Sequence, residues 1–212
     1  MAVCVAMLRR VHEVSGYPSF WPADPAGWIT PRGMVGAWVA ERDGQIAGHV
    51  NLIRGLRLEC LLRASGLDPD ELGGVARLYV DPAFRRQGLA RELLDTAADA
   101  AVVHGLLPVL DVVADSRPAI ALYEQAGWRL ACTQPAWWTD PDGSTPAIRC
   151  YLRLPPLAPA PAAPGRRKRG RLASISLWYR TDRGSRPRFA SSDRGPAHCF
   201  LPLRVKARKP VR

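Results

Sequence analysis

Arg85, Arg86, Gln87 and Gly88 stand in a row, and their flanks give them chemical meaning. Upstream, Leu78 and Val80 alternate with Arg77, Tyr79 and Asp81, the period of a strand. Pro82 lacks a backbone donor and disfavours helix at Asp81, so the strand stops there. Downstream, Leu89, Leu93, Ala97 and Ala101 recur every four residues, the stripe of a helix. A strand, a basic turn and a helix N-terminus bring free amide N–H groups, the positive helix end and two cationic side chains to one point. That combination suits a phosphate or pyrophosphate. A Cβ at Gly88 would obstruct close approach of such a ligand to the backbone. Two familiar nucleotide motifs fail on spacing. A P-loop needs Lys and Ser or Thr after its last glycine, and Leu89, Ala90 and Arg91 follow here; a dinucleotide fingerprint needs three glycines.

The pattern that fits, Arg85-x-x-Gly88-x-Ala90, resembles the acyl-CoA-binding signature of the GNAT N-acetyltransferase superfamily. A second stretch resembles the same superfamily. After the first helix ends near His104 and Gly105, the run 109–113 reads as a buried strand. A helix follows, with Pro118 in its first turn, Leu122 and Tyr123 near its end, and Gly127 and Trp128 just beyond. The resemblance spans roughly residues 8 to 154. It implies an α/β fold with a mixed, mostly antiparallel central sheet flanked by helices. It also implies acetyl-CoA as co-substrate, no metal, and direct acetyl transfer within a ternary complex to an amine of a small molecule or peptide.

Carried over residue by residue, the resemblance gives Arg85, Arg86, Gln87, Gly88, Leu89, Ala90 and Arg91 to the pyrophosphate, and the backbone of Leu78, Tyr79 and Val80 to the pantetheine arm. Ser116 stands where many members carry Asn, so it keeps one hydrogen bond rather than two. Tyr123 occupies the family's tyrosine position. A phenol of pKa ~10 can protonate a departing thiolate whose thiol has pKa ~8.5; the other reading of Tyr123 is an aromatic packed in the core. The base stays open among Glu41, His49, Asp81, Asp115 and an ordered water. Tyr79 faces either the acceptor cleft or a helix-covered core. The acceptor is expected between two aromatic loops, one with Tyr17 and Trp21, the other with Trp137 and Asp140. Aromatic faces beside carboxylates suit a cationic amine.

The 212 residues carry 30 Lys/Arg and 19 Asp/Glu, a net charge of +11, unevenly divided. Residues 155–212 hold 15 basic and 2 acidic residues, which leaves 15 and 17 for residues 1–154. The basicity therefore belongs to the C-terminal part. We divide the chain into a GNAT-like domain over 1–154, a Pro/Ala linker over 155–165 and a basic tail over 166–212 that we expect to be disordered. Its arginines allow a nucleic-acid association by phosphate neutralisation. No apolar run is long enough to span a membrane, and no signal peptide is read at the start. Cys4, Cys60, Cys132, Cys150 and Cys199 are odd in number and scattered, which points to reduced thiols, a cytoplasmic protein and no zinc site.

The remaining elements follow from pattern. Residues 4–14 form a helix and 16–28 an aromatic, Pro-rich loop. Strands 36–41 and 45–53 are joined by Asp43 and Gly44, a hairpin signal. A short helix lies within 55–66, turns fill 67–74, and strands at 128–132 and 147–154 close the domain. GNAT domains usually open with a strand, and none precedes the first helix. We read a start assigned too far downstream; otherwise a homodimer partner covers the open edge. An idle CoA-binding domain and a nucleic-acid-associated protein are the other function classes that this pattern admits.

Overall fold

The computed structural model describes residues 1–140, 142–154 and, for the backbone, 175–180. Helix α1 (Ala2–Ser15) buries Cys4, Met7, Leu8 and Val11 and ends at Gly16 in the left-handed region. Helix α2 (Pro25–Ile29) starts with Pro at its first position, capped by the Asp24 carboxylate on the Gly27 N–H at 3.0 Å. Strands β1 (Met34–Arg42) and β2 (Gln45–Arg54) form the expected hairpin, with Asp43 and Gly44 both at positive φ in its turn. Then come α3 (Glu59–Ser65), β3 (Leu72–Val80), α4 (Leu89–Val103), β4 (Leu107–Val113), α5 (Arg117–Gln125), β5 (Arg129–Pro135) and β6 (Ala147–Leu152).

The strands lie in one sheet in the order β5-β6-β4-β3-β2-β1, antiparallel except for the β3–β4 pair. Helix α4 covers one face. Its buried stripe is Leu89, Leu93, Leu94, Ala97, Ala98 and Ala101, wider than the four-residue repeat alone predicts. Glycines beneath it set the distance: a Cβ on Gly48 would lie 2.8 Å from a Leu93 methyl, and one on Gly73 would lie 2.8 Å from the Ala101 Cβ. This explains why the stretch at 72–74, read as turn, is strand: Gly73 sits under the helix, and a Cβ on Gly74 would lie 2.8 Å from a Leu56 methyl. On the other face, α1 and α2 pack on β1–β3 around Val39 and Tyr79, and α3 packs on β4–β6 around Val109, Ile148 and Cys150.

Two expectations are corrected. The cysteines are scattered in sequence but not in space: Cys60 on α3 and Cys132 on β5 form a disulfide with a Cα–Cα distance of 6.3 Å. Cys150 on β6 lies beside them. The second concerns the tail. Among the described residues no strand precedes α1, yet the outer edge of β1 is occupied, because a strand β7 (Ile175–Arg180) pairs antiparallel with it from Gly36 to Ala40. Ile, Trp and Tyr in this hexapeptide have high strand propensity, and an open strand edge is a template for pairing. For these six residues the expectation of disorder does not hold. The rest of the linker and basic tail, residues 155–174 and 181–212, lies outside the described residues. Among the described residues, no helix is long and apolar enough to cross a membrane.

Candidate active site

The site begins where β3 and β4 separate. They are paired only from Leu72–Leu107 to Gly74–Val109. Beyond that point β3 stays with β2, while β4 pairs with β6 as far as Val113–Ile148. The β4-side edge of β3 is therefore open along Leu78, Tyr79 and Val80. A bulge sharpens the separation: between the Asn51–Ala76 and His49–Tyr79 pairs, Arg77 and Leu78 together oppose Val50 alone. Arg77 takes φ 54°, a strained conformation for a residue with a Cβ, held by its surroundings. Its carbonyl bonds the His49 ring at 3.1 Å, its Nε donates to the Trp28 carbonyl at 3.2 Å, and its guanidinium lies 4.1 Å from the Trp28 ring centroid.

Four side chains meet at this opening. Tyr17 leaves over a third of its surface in solvent, yet burial of its phenol group, then the Asp111 charge working against Arg77, hold its pKa up at about 12. Asp111, in β4, has its carboxyl pushed above the usual range by burial, with Arg77 pulling the other way. Tyr123 is raised by burial first, then by Tyr17 and Asp111. Tyr17, Arg77, Asp111 and Tyr123 thus form one electrostatic group, contributed by the loop after α1, by β3, by β4 and by α5. The Tyr123 ring also packs at 6.5 Å from Trp128 and 6.2 Å from Tyr151, which fixes its direction. This tyrosine is packed at the core margin, and its phenol is linked electrostatically to Tyr17 and Asp111.

The basic turn lies at the C-terminal end of β3. Arg85, Arg86, Gln87 and Gly88 are exposed, with Arg86 at φ 63° and Gly88 at φ 85°. No atom lies within 4 Å of where a Gly88 Cβ would stand, so the backbone there faces open space. The first turn of α4 leaves the N–H groups of Leu89 and Ala90 without helical partners. These features fit a pyrophosphate. Leu89 itself is buried under the sheet. Arg91 is engaged elsewhere: its N–H donates to the Gly88 carbonyl at 2.9 Å, and its side chain to Asp95 at 2.7 Å and the Gln125 carbonyl at 3.1 Å. Arg85 reaches Ser15 Oγ at 3.2 Å. Ser116 is the N-cap of α5 and makes no side-chain capping bond.

Other candidates fall outside the group. Tyr79 is buried against α1 and stacks on His49 at 5.1 Å, so its side chain belongs to the core. His49 is driven down to about 4, chiefly by burial, and is neutral at pH 7. Asp81 is buried in an ion pair with Arg10 and caps the turn through the Ala83 N–H at 3.0 Å. Glu41 and Asp115 are exposed. Trp21 packs on α1 beneath Arg9 at 4.4 Å. Trp137 is exposed, edge-on to Trp138 at 5.3 Å, and Asp140 bonds within its own loop. No hydrogen bond, ion pair or ring contact among the described residues joins Trp137 or Asp140 to Asp111 or Tyr123. Of the acceptor residues expected, Tyr17 reaches the opening. Asp111 was absent from the sequence candidates; its signal was a lone carboxylate within the apolar run 109–113.

A mixed sheet that parts beside an exposed basic turn and a helix N-terminus offers a cleft suited to a phosphate-bearing ligand. A family model described as "Acetyltransferase (GNAT) family" matches residues 7–128, and the chain belongs to that family. Among curated relatives, the [Ribosomal protein bS18]-alanine N-acetyltransferase of Escherichia coli strain K12 is 39% identical over 78 residues, 36% of this chain and 53% of the relative. The chain thus spans about half the length of the curated relatives it matches. Solved structures give the same fold. The ribosomal-protein-S18-alanine N-acetyltransferase from Escherichia coli matches with TM-score 0.51 at 20% identity, over 75% of this chain and 92% of that one. The ribosomal-protein-alanine N-acetyltransferase from Brucella melitensis gives 0.56 at 19%, over 72% and 93%. Arabidopsis thaliana NAA60 in complex with acetyl-CoA gives 0.52 at 17%, over 70% and 93%.

Proposed function

We propose that this chain is an acetyl-CoA-dependent N-acyltransferase whose acceptor is the α-amino group of a peptide or protein. The observation that carries this reading is the meeting of a carboxyl, Asp111, and a phenol, Tyr123, where the sheet opens beside a basic turn. The thioester supplies an acyl group already activated toward an amine. The N–H groups of Leu89 and Ala90, with Arg85 and Arg86, hold the pyrophosphate, and the open edge of Leu78, Tyr79 and Val80 holds the pantetheine amides. Asp111 takes the proton that the amine must lose. Its raised pKa makes it a stronger base than an ordinary aspartate, and Arg77 opposes that rise. Tyr123, held protonated by burial, donates to the departing sulfur.

Basicity favours an α-amine over a lysine. An α-amino group of pKa ~8 is unprotonated about one time in ten at pH 7, a lysine of pKa ~10.4 about once in several thousand. A carboxylate base is adequate for the first. The names of the curated relatives, alanine N-acetyltransferases of a ribosomal protein, support the same acceptor class. The test is thiol release from acetyl-CoA with product mass, over peptides with a free N-terminal alanine, N-terminally blocked peptides carrying lysine, and small amines. Acetylation of the free N-terminus first is the expected result. Binding of acetyl-CoA with no amine acetylated would leave a CoA-binding domain instead.

A further inference from the structure

Three sulfurs from three elements converge on the face away from α4. Cys60 Sγ of α3 and Cys132 Sγ of β5 are bonded, Cys150 Sγ of β6 lies 3.7 Å from Cys60 Sγ, and all three lie within 4.8 Å of one another. Cys132 and Cys150 are cross-strand partners, so the ladder fixes two corners of the triangle and α3 supplies the third. Leu58, Leu61, Val109, Ala136 and Ile148 surround them. The Cys60 N–H donates to the Gln134 side-chain oxygen at 2.9 Å, which orients the α3 cysteine toward β5.

We infer that in the reduced chain Cys60, Cys132 and Cys150 form a three-thiolate site for one thiophilic cation, zinc(II) or copper(I). An external dithiol gives two electrons and two protons to the bridge and becomes a disulfide itself; Cys60 and Cys132 become thiols. The cation then displaces protons from the three sulfurs. The spacing suits it: metal–sulfur bonds of ~2.3 Å place tetrahedral ligands ~3.8 Å apart, against 3.7 Å for Cys60 and Cys150. The donor set selects the ion, because three sulfurs, with Asp111 across the ladder from Cys150 as a neighbouring carboxyl, fall far short of the six or more oxygen ligands that a hard cation requires. The site adjoins the acetyl-transfer residues, because Asp111 is the cross-strand partner of Cys150 and, after burial, its charge raises the Cys150 thiol; the three sulfurs take no part in the transfer, so the inference does not depend on the function proposed above.

The full chain, reduced with a dithiol and moved anaerobically into reductant-free, metal-free buffer, is titrated with Zn²⁺ against a chromogenic chelator and with Cu⁺ against bicinchoninate. One equivalent of either ion per reduced chain, and none on the oxidised chain, is the expected result. Cys132→Ser and Cys150→Ser each weaken uptake by at least about 100-fold, the upper end of what loss of a mere outer-shell partner costs, while Cys4→Ser and Cys199→Ser leave it unchanged. Circular dichroism establishes that each variant is folded. Should Cys150→Ser unfold, Cys132→Ser on the partly exposed edge strand decides. A reduced chain that takes up neither ion, or folded Cys132→Ser binding as tightly as wild type, overturns the assignment.

Discussion

Replacing Asp111 by Asn separates catalysis from stability in a way that few substitutions allow. Burial raises the Asp111 carboxyl pKa above its unfolded value. The sign follows: stability from this group is full below the unfolded pKa and is lost as pH rises through the folded one. Above the unfolded pKa the native state therefore loses stability through this group, and the isosteric Asn variant melts higher than wild type above the acid range. Activity moves the opposite way. A positioned general base contributes ~10²–10⁴-fold, or about 3–5 kcal/mol of barrier, so kcat/KM falls by that factor. The wild-type kcat/KM rises with pH as Asp111 loses its proton, and that limb is absent in the variant. The assay is thiol release from acetyl-CoA with an alanine-starting peptide across pH 5–9, beside melting curves in the same buffers. Asp111→Asn with activity within about threefold of wild type and the same acid limb would refute the base assignment. A variant that melts lower at neutral pH would refute the burial argument.

Three further outcomes are expected. Tyr123→Phe keeps the packing on Trp128 and Tyr151 and removes the proton, so kcat falls by ~10²-fold or more while the acetyl-CoA Kd is unchanged; lowered Tm with full kcat would make Tyr123 a packing residue alone. Arg77→Met removes the charge that lowers the Asp111 pKa, so the acid limb of kcat/KM moves to higher pH; an unmoved limb would show that Arg77 and Asp111 are not coupled. Removing residues 181–212 leaves Tm unchanged, whereas removing 155–212 also takes β7 from the β1 edge and lowers both Tm and solubility; equal behaviour of the two truncations would exclude β7 from the fold.

Local chemistry made much of the architecture legible. Asp43 and Gly44 announced the hairpin, Pro82 the end of β3, the Leu89-to-Ala101 stripe α4, and Gly127 the end of α5. Each acts within a few residues of its effect. What was missed depends on partners distant in sequence. Gly73 and Gly74 read as turn because nothing local shows that Ala101 and Leu56 will lie against them. Asp111 read as one polar residue in a buried strand, because its meeting with Tyr17 and Tyr123 requires the β3–β4 separation and the return of the loop after α1. Cys60, Cys132 and Cys150 read as scattered because their convergence is made by the β5–β6 ladder and by α3 packing on it. Ile175–Arg180 was hidden by the composition of its neighbours.

The central claim, that the turn at residues 85–90 and the adjoining opening form an acyl-CoA cleft, is tested most directly by calorimetric titration of acetyl-CoA into the full chain and into Gly88→Glu. The substitution puts a Cβ on a backbone at φ 85° and a negative charge into the open space above the turn. The account predicts one saturable site per chain in the wild type and no measurable binding in the folded variant. Wild-type protein that binds no acetyl-CoA, or a folded Gly88→Glu variant with unchanged affinity, would contradict it.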